Sequence, residues 1–275
     1  MKLSCCAWAL AKKRGWISFL NGFRRDDVAE ARNLQRLADL GFSTIDICPS
    51  MQKSQKAKSA LEELKLEVAC VSLSHEAPKK STFDSDHSKR VDPLIHHTGS
   101  ALKHASEIGA DWSYVVPGKP VDKRTIARYA DRYATLAEQG QALGIKVCIE
   151  HFPETAFPTV ASTLEFIKEV DHPNLYLLFD IGHAQMTNED PATVLPLAGD
   201  RLGYVHLDDN DGVDDLHLAL TDGVQTHESL DVFFRVLEDV GYDGPVSLEM
   251  KANLSDPLDA IRRSKEIVGR LIEVK

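Results

Sequence analysis

Eight short apolar runs, each followed by a longer segment of helical periodicity, constrain this 275-residue chain more than any other feature. The runs cover residues 3–9, 44–48, 68–73, 112–116, 146–150, 175–180, 203–207 and 245–249. Between and after them, apolar residues recur at helical spacing over 27–40, 91–108, 123–143, 159–170, 230–240 and 257–272, with weaker patterns at 54–64 and 191–198. In the segment from residue 27 the apolar set is Val28, Ala31, Leu34, Leu37 and Ala38. Each strand–helix unit takes about 34 residues, the size of a βα repeat. Runs such as LYLLFDI and KVCIE are almost uninterrupted by polar residues. Strands of that kind suit a parallel sheet covered on both faces. A glycine stands where a helix C-cap is expected in LADLGFSTIDI, ASEIGADWSYVV, GQALGIKVCIE and LEDVGYDGPVSLE. The pattern predicts one (β/α)8 barrel spanning 1–275 as a single α/β domain. A doubly wound open sheet is the competing architecture, but no GxGxxG or GxxxxGK[ST] phosphate loop occurs.

Composition narrows the partners. Lys and Arg number 32 against 42 Asp and Glu, a formal charge of −10. A nucleic-acid binder needs the opposite sign. With 43% hydrophobic and 27% charged residues there is enough apolar material for a core. No apolar run approaches the roughly 18 residues that span a bilayer, so no membrane partner is expected. The N-terminal apolar stretch is short and precedes the Lys12-Lys13-Arg14 cluster, the reverse of a secretory signal. The Leu3-Ser4-Cys5 triplet lacks the long hydrophobic segment that precedes a lipoprotein cleavage site. The five cysteines, Cys5, Cys6, Cys48, Cys70 and Cys148, form no CxxC pair and no even framework. They read as buried thiols of a cytoplasmic protein.

Chemistry collects at the C-terminal ends of the last four strands, where a (β/α)8 barrel keeps its active site. Strand five ends in Glu150, strand six in Asp180, strand seven in His206 followed by Asp208, and strand eight in Glu249. A lone ionised carboxylate on such a strand is costly to bury. Three carboxylates and an imidazole converging on one mouth predict a divalent-cation site. Their donor set suits Mn2+, Mg2+ or Co2+, with Zn2+ as the alternative. Each residue also has a plainer reading: Asp180 as a helix N-cap, Glu249 as a partner of Lys251. His183, three residues past Asp180, is placed in a loop and read as a substrate contact or a support for the ligands.

This set, a terminal Glu, D-x-G-H, H-x-x-D and a terminal Glu, resembles the xylose-isomerase-like TIM-barrel superfamily, and more closely its sugar phosphate isomerase/epimerase branch. Ketose 3-epimerases, hydroxypyruvate isomerases and inosose dehydratases belong there, alongside the AP endonucleases. The resemblance implies that Glu150, Asp180, His206 and Glu249 are metal ligands, that Glu150 and Glu249 also act as an acid/base pair, and that His183 binds substrate. It implies a small carbohydrate as substrate, passing through an enediolate, and leaves room for a homo-oligomer. Two departures stand out. The tract His217-Leu218-Ala219-Leu220-Thr221-Asp222-Gly223 lacks the first glycine of the family's H-x-x-x-G-x-G. Gly212 stands where ketose 3-epimerases often carry an arginine. An AP endonuclease would need further zinc ligands; His75, Asp215 and His217 match part of that set, but strand four ends in Val116-Pro117 instead of a histidine.

Trp8 and Trp16, at or after the first strand, are candidates for stacking on a sugar ring. His75, His217 and Lys251 are further candidate pocket residues, Lys251 being equally suited to a salt bridge. Trp112 begins strand four, at the far end of the barrel, and reads as core. Three functions remain open: a metal-dependent isomerase or epimerase, a dehydratase or lyase on a keto-inositol or oxidised sugar, and a non-catalytic carbohydrate-binding barrel.

Overall fold

The computed structural model describes residues 1–11, 27–49, 51, 54–83, 85–119 and 123–273. Eight strands form one sheet: β1 Lys2–Cys5, β2 Thr44–Ile47, β3 Glu67–Ser72, β4 Trp112–Val115, β5 Lys146–Glu150, β6 Leu175–Asp180, β7 Leu202–Leu207 and β8 Pro245–Leu248. Every neighbouring pair is parallel, and the order β1-β8-β7-β6-β5-β4-β3-β2 runs around a ring. A parallel bridge between Cys6 and Asp46 joins β1 to β2 and closes it. The expected (β/α)8 TIM barrel is the fold.

The helices are α1 Asp27–Asp39, α2 Gln55–Leu64, α3 Ser88–Glu107, α4 Lys123–Ala142, α5 Val160–Val170, α6 Ile181–Met186, α7 Pro191–Ala198, α8 His227–Asp239 and α9 Pro257–Glu273. The two weakly patterned segments are regular helices because each has a cap. Ser54 accepts from Ala57 N–H at the start of α2, and Asp190 accepts from Ala192 N–H with Pro191 in the first turn of α7. Capping boxes start α5 at Thr159/Ser162 and α8 at Thr226/Ser229, the latter three residues before the apolar pattern begins. The junction glycines Gly41, Gly109, Gly144 and Gly241 all have φ between 73 and 80°, the left-handed geometry of a C-cap.

Two expectations need correction. Residues 3–9 are not one strand: β1 ends at Cys5, and Ala7–Leu10 forms a 3-10 turn that keeps the apolar run buried without extending the sheet. His183 is not in a loop but inside α6, one turn of helix too short to leave a periodic signature.

Strand alternation divides the core. On β5, Val147 and Ile149 pack outward with the helix layer, while Cys148 faces the barrel interior. On β6, Leu175, Leu177 and Phe179 join the helix layer and Leu178 the interior. Tyr114, Tyr176, Leu178, Tyr204 and Trp112 fill the barrel below its mouth, with Trp112 edge-on to Tyr176. Glu150 and Asp180 share the parity of Cys148 and Leu178, so both carboxylates point inward at the top. All five cysteines are free thiols, and four of them are buried. Among the described residues no helix is long and apolar enough to cross a membrane.

Candidate metal centre at the barrel mouth

The backbone register sets the site. Asp180 pairs with His206 and His206 with Ser247, so β6, β7 and β8 end level with one another. Glu249 lies one residue beyond β8, its N–H donating to Leu207 O at 3.0 Å. One ligand-type atom from each of Glu150, Asp180, His206 and Glu249 falls within 4.8 Å of the others, and all four residues are buried. Nδ1 of His206 faces the three carboxylates: 2.7 Å to Glu249 Oε2, 3.3 Å to Glu150 Oε1 and 3.8 Å to Asp180 Oδ2. Asp180 Oδ2 is buried without a hydrogen-bond partner. An orphaned anionic oxygen beside two further carboxylates is costly unless a cation or proton joins them. Oxygen-rich ligands with one imidazole fit a hard or borderline divalent ion.

Asp180 fills both roles weighed for it. Its Oδ1 accepts from His183 N–H at 2.8 Å and caps α6, leaving Oδ2 turned to the cluster. Its own N–H donates to His151 Nε2 at 3.1 Å. His183 Nδ1 donates to His151 O at 3.0 Å, which leaves Nε2 facing Asp215 Oδ1 at 3.8 Å. His217 Nε2 lies 2.9 Å from the same oxygen. His183, Asp215 and His217 therefore form a second group of ligand-type atoms beside the first. His217 Nδ1 lies 2.8 Å from Asp208 Oδ2 and 3.2 Å from Glu249 O, which ties the two groups together.

Electrostatics follow this crowding. Burial pushes the Asp180 carboxyl well above its usual range, and the nearby Asp208 and Glu150 charges push it further. Burial acts on Glu249 in the same direction, but His206 and then His217 outweigh it and hold its carboxyl below the usual range. Burial would lower His206 and His217. The carboxylates around them, Glu249 and Glu150 for His206, Asp208 and Asp215 for His217, outweigh it and raise both. His75 is lowered, chiefly by burial.

The softer candidates separate. Trp8, in the 3-10 turn after β1, donates its indole N–H to Glu249 Oε1 at 3.1 Å, and its ring centroid lies 4.6 Å from that of His75. His75 Nδ1 is 2.8 Å from Ser72 Oγ. Lys251 N–H donates to His217 O, and the Lys251 charge contributes to lowering Asp215. Glu249 thus takes Trp8 and His206 as its partners. Trp16 lies outside the described residues.

The acidic stretch after β7 braces the site. Asp208, Asp209 and Asn210 are fully buried. Asp209 accepts from the N–H groups of Asn210, Gly223, Val224 and Gln225, and Asn210 Oδ1 accepts from those of Leu216 and His217. These bonds hold His217 at φ 43°. Gly182 is required by close approach: a Cβ there would lie 2.2 Å from Asp208 Oδ1. Thr221, at the missing glycine of the tract, adopts φ 72°. Gly212, in the place of the expected arginine, has φ 85°. Sequence reasoning missed Asp46, a buried carboxylate on β2. The signal was available, since Asp46 interrupts the apolar run TIDI, but it stands mid-strand rather than at a strand end.

A family model described as "Xylose isomerase-like TIM barrel" matches residues 34–270. The ketose 3-epimerase of Arthrobacter globiformis is 26% identical over 230 residues, 79% of this chain and 76% of that protein. The inosose dehydratase of Geobacillus kaustophilus is 26% identical over 204 residues, 65% of each chain. An uncharacterized protein of Methanocaldococcus jannaschii is 35% identical over 147 residues, 50% of this chain, and the match spans about half of that protein's length, 46%. Among solved structures, a D-allulose 3-epimerase from Methylomonas sp. superposes with a TM-score of 0.77 at 19% identity, covering 98% of both chains. At that identity the likeness establishes the fold.

Proposed function

Because the chain belongs to the xylose isomerase-like TIM-barrel family, we propose that it is a divalent-metal-dependent isomerase or epimerase of a sugar or keto-sugar. The observation that carries this reading is the buried convergence of Glu150, Asp180, His206 and Glu249. The named epimerases among its relatives support it.

Glu150, Asp180, His206 and Glu249 would hold the ion. A divalent cation supplies Lewis-acid stabilisation of the charge that develops on substrate oxygen as a neighbouring C–H loses its proton. Glu150 and Glu249 enter from β5 and from the end of β8. One takes the proton from the carbon next to the carbonyl. The other returns a proton, to the opposite face in epimerisation or to the adjacent carbon in isomerisation. The different surroundings of the two carboxylates divide these tasks. His206 and His217 hold Glu249 in the ionised form that a base requires, at the cost of basicity. His183, His75, His217 and Lys251 would contact substrate hydroxyls. Carboxylates and imidazoles predominate, an environment for a neutral polyhydroxylated ligand rather than for an anion such as DNA.

A dehydratase is the second reading. His217 stands between Asp208 and Asp215, which keep it protonated. An imidazolium beside the acid/base pair can protonate a leaving β-hydroxyl after the same enolisation. Dehydratases occur among the relatives.

Incubating the Mn2+-supplemented protein in D2O with ketoses, inososes and 3-dehydroshikimate tests both readings. Deuterium at the carbon next to the carbonyl, without loss of water, is expected of the epimerase. Loss of water identifies the dehydratase. Glu150→Gln and Glu249→Gln should each cost about 10²- to 10⁴-fold in turnover. Substantial turnover retained in either variant would sink the acid/base assignment.

A further inference from the structure

Beneath the four-residue cluster, Asp46 is a fully buried carboxylate for which the proposed reaction has no direct use. Its Oδ1 accepts from Ser4 Oγ and from the Tyr204 hydroxyl, each at 2.7 Å. The Cys6 thiol lies 3.7 Å from Oδ2, and Ser247 adds another hydroxyl contact. Donors thus reach Asp46 from β1, β7 and β8 and from the turn that follows β1. Hydroxyls and a thiol can all donate, so the set satisfies Asp46 as an acceptor. A carboxylate buried in the middle of a barrel needs a purpose or a compensating gain.

His206 supplies one. Its Nδ1 faces the three carboxylates of the cluster. Its Nε2 is buried with no hydrogen-bond partner and lies 3.9 Å from Asp46 Oδ2. That separation is too long for a hydrogen bond. It is short enough for strong attraction in a site from which water is excluded. A histidine that ligates through one nitrogen carries its proton on the other, and a carboxylate behind that proton fixes tautomer and ring orientation. The fully buried ring has solvent on neither side. Tyr114 meets it edge-on at 5.1 Å and Tyr204 at 5.8 Å, so the ring plane is confined as well.

We propose that Asp46 is a positioning residue: from below the site it holds His206 in the Nε2-protonated tautomer, with Nδ1 presented to the cation. This inference rests on the metal-centre reading. A carboxylate that only closed the barrel seam would alter stability and leave both metal affinity and tautomer untouched.

The test compares full-length wild-type protein with Asp46→Asn, which keeps the shape and removes the charge. Mn2+ binding is measured directly from free Mn2+, and thermal unfolding of the metal-free proteins is followed in parallel. Loss of about 10- to 100-fold in Mn2+ affinity is expected in a folded Asp46→Asn protein. Affinity within twofold of wild type would overturn the proposal and leave the metal centre standing. Wild-type protein that binds none of Mn2+, Mg2+, Co2+ or Zn2+ would overturn both. Should Asp46→Asn not fold, ¹⁵N-histidine NMR of Zn2+-loaded wild-type protein decides the matter. A protonated Nε2 with Nδ1 bound supports the role, and an unprotonated or metal-bound Nε2 overturns it.

Discussion

The indole N–H of Trp8 donates to Glu249 Oε1 at 3.1 Å, while Oε2 of the same carboxylate lies 2.7 Å from His206 Nδ1. Two residues more than 190 positions apart thereby set which oxygen of Glu249 faces the cluster. A hydrogen bond to a charged group contributes about 1.5–3 kcal/mol. Trp8→Phe keeps an aromatic ring and removes the donor. We expect kcat to fall on the order of tenfold with KM nearly constant. A Trp8 that served as a stacking platform for the sugar would raise KM instead, and steady-state kinetics on the identified substrate tell the two apart.

Gly182→Ala should destabilise the protein by about 1–3 kcal/mol, because its Cβ would fall 2.2 Å from Asp208 Oδ1 and 2.5 Å from Asn210 Nδ2. Displacing Asp208 also removes the carboxylate 2.8 Å from His217 Nδ1, so activity should fall further than stability does. Thermal melts alongside turnover would check this. An unchanged melting temperature would mean that Asp208 does not pack where the fold puts it.

Thr221 is a β-branched residue at φ 72°, where only glycine is unstrained. Relief of that strain exceeds the extra chain entropy of glycine, so Thr221→Gly should stabilise by about 1 kcal/mol. For a chain of this size that is about 2–4 °C in Tm, readable by calorimetry. No gain in Tm would show that the loop after β7 tolerates the threonine without strain.

The metal-free protein should become less stable as pH rises from about 6 to 9. His206 and His217 have folded pKa values raised above their unfolded value of about 6.5. Their contribution is complete below that pH and is lost as pH climbs toward the folded values. Asp180, also raised, works in the same sense from lower pH. Glu249, held below its usual range, removes stability only on strong acidification. Saturating Mn2+ should reverse the slope, because the ion competes with protons for the same atoms. Melting curves across this range with and without Mn2+ decide it, and parallel curves would count against a cation at these residues.

Strand-end carboxylates were legible because period-two alternation places every second residue of a parallel strand in the barrel, and charge there is conspicuous. Glu150, Asp180, His206 and Glu249 all follow that rule and all converge. Asp46 follows it too, yet a mid-strand acid has no strand end to draw attention to it. The six residues of α6 were illegible for a different reason: a helix of under two turns has no face to repeat. Among the acids after β7, sequence does not distinguish Asp208 and Asp209, which with Asn210 turn inward to meet backbone N–H groups and histidines, from their exposed neighbours. Trp8 was noticed for its ring, whereas its contact with Glu249 is made by its nitrogen.

The bridge between Cys6 and Asp46 joins the first two strands of the ring, and β8 must dock against β1 before that ring is whole. Glu249, the last residue of the cluster, lies 203 positions after Asp46 and 241 after Trp8, so the site joins distant parts of the sequence. Under the metal-centre reading, capture of an ion would therefore report a closed barrel: an unsealed one presents scattered acids, and a sealed one presents them together.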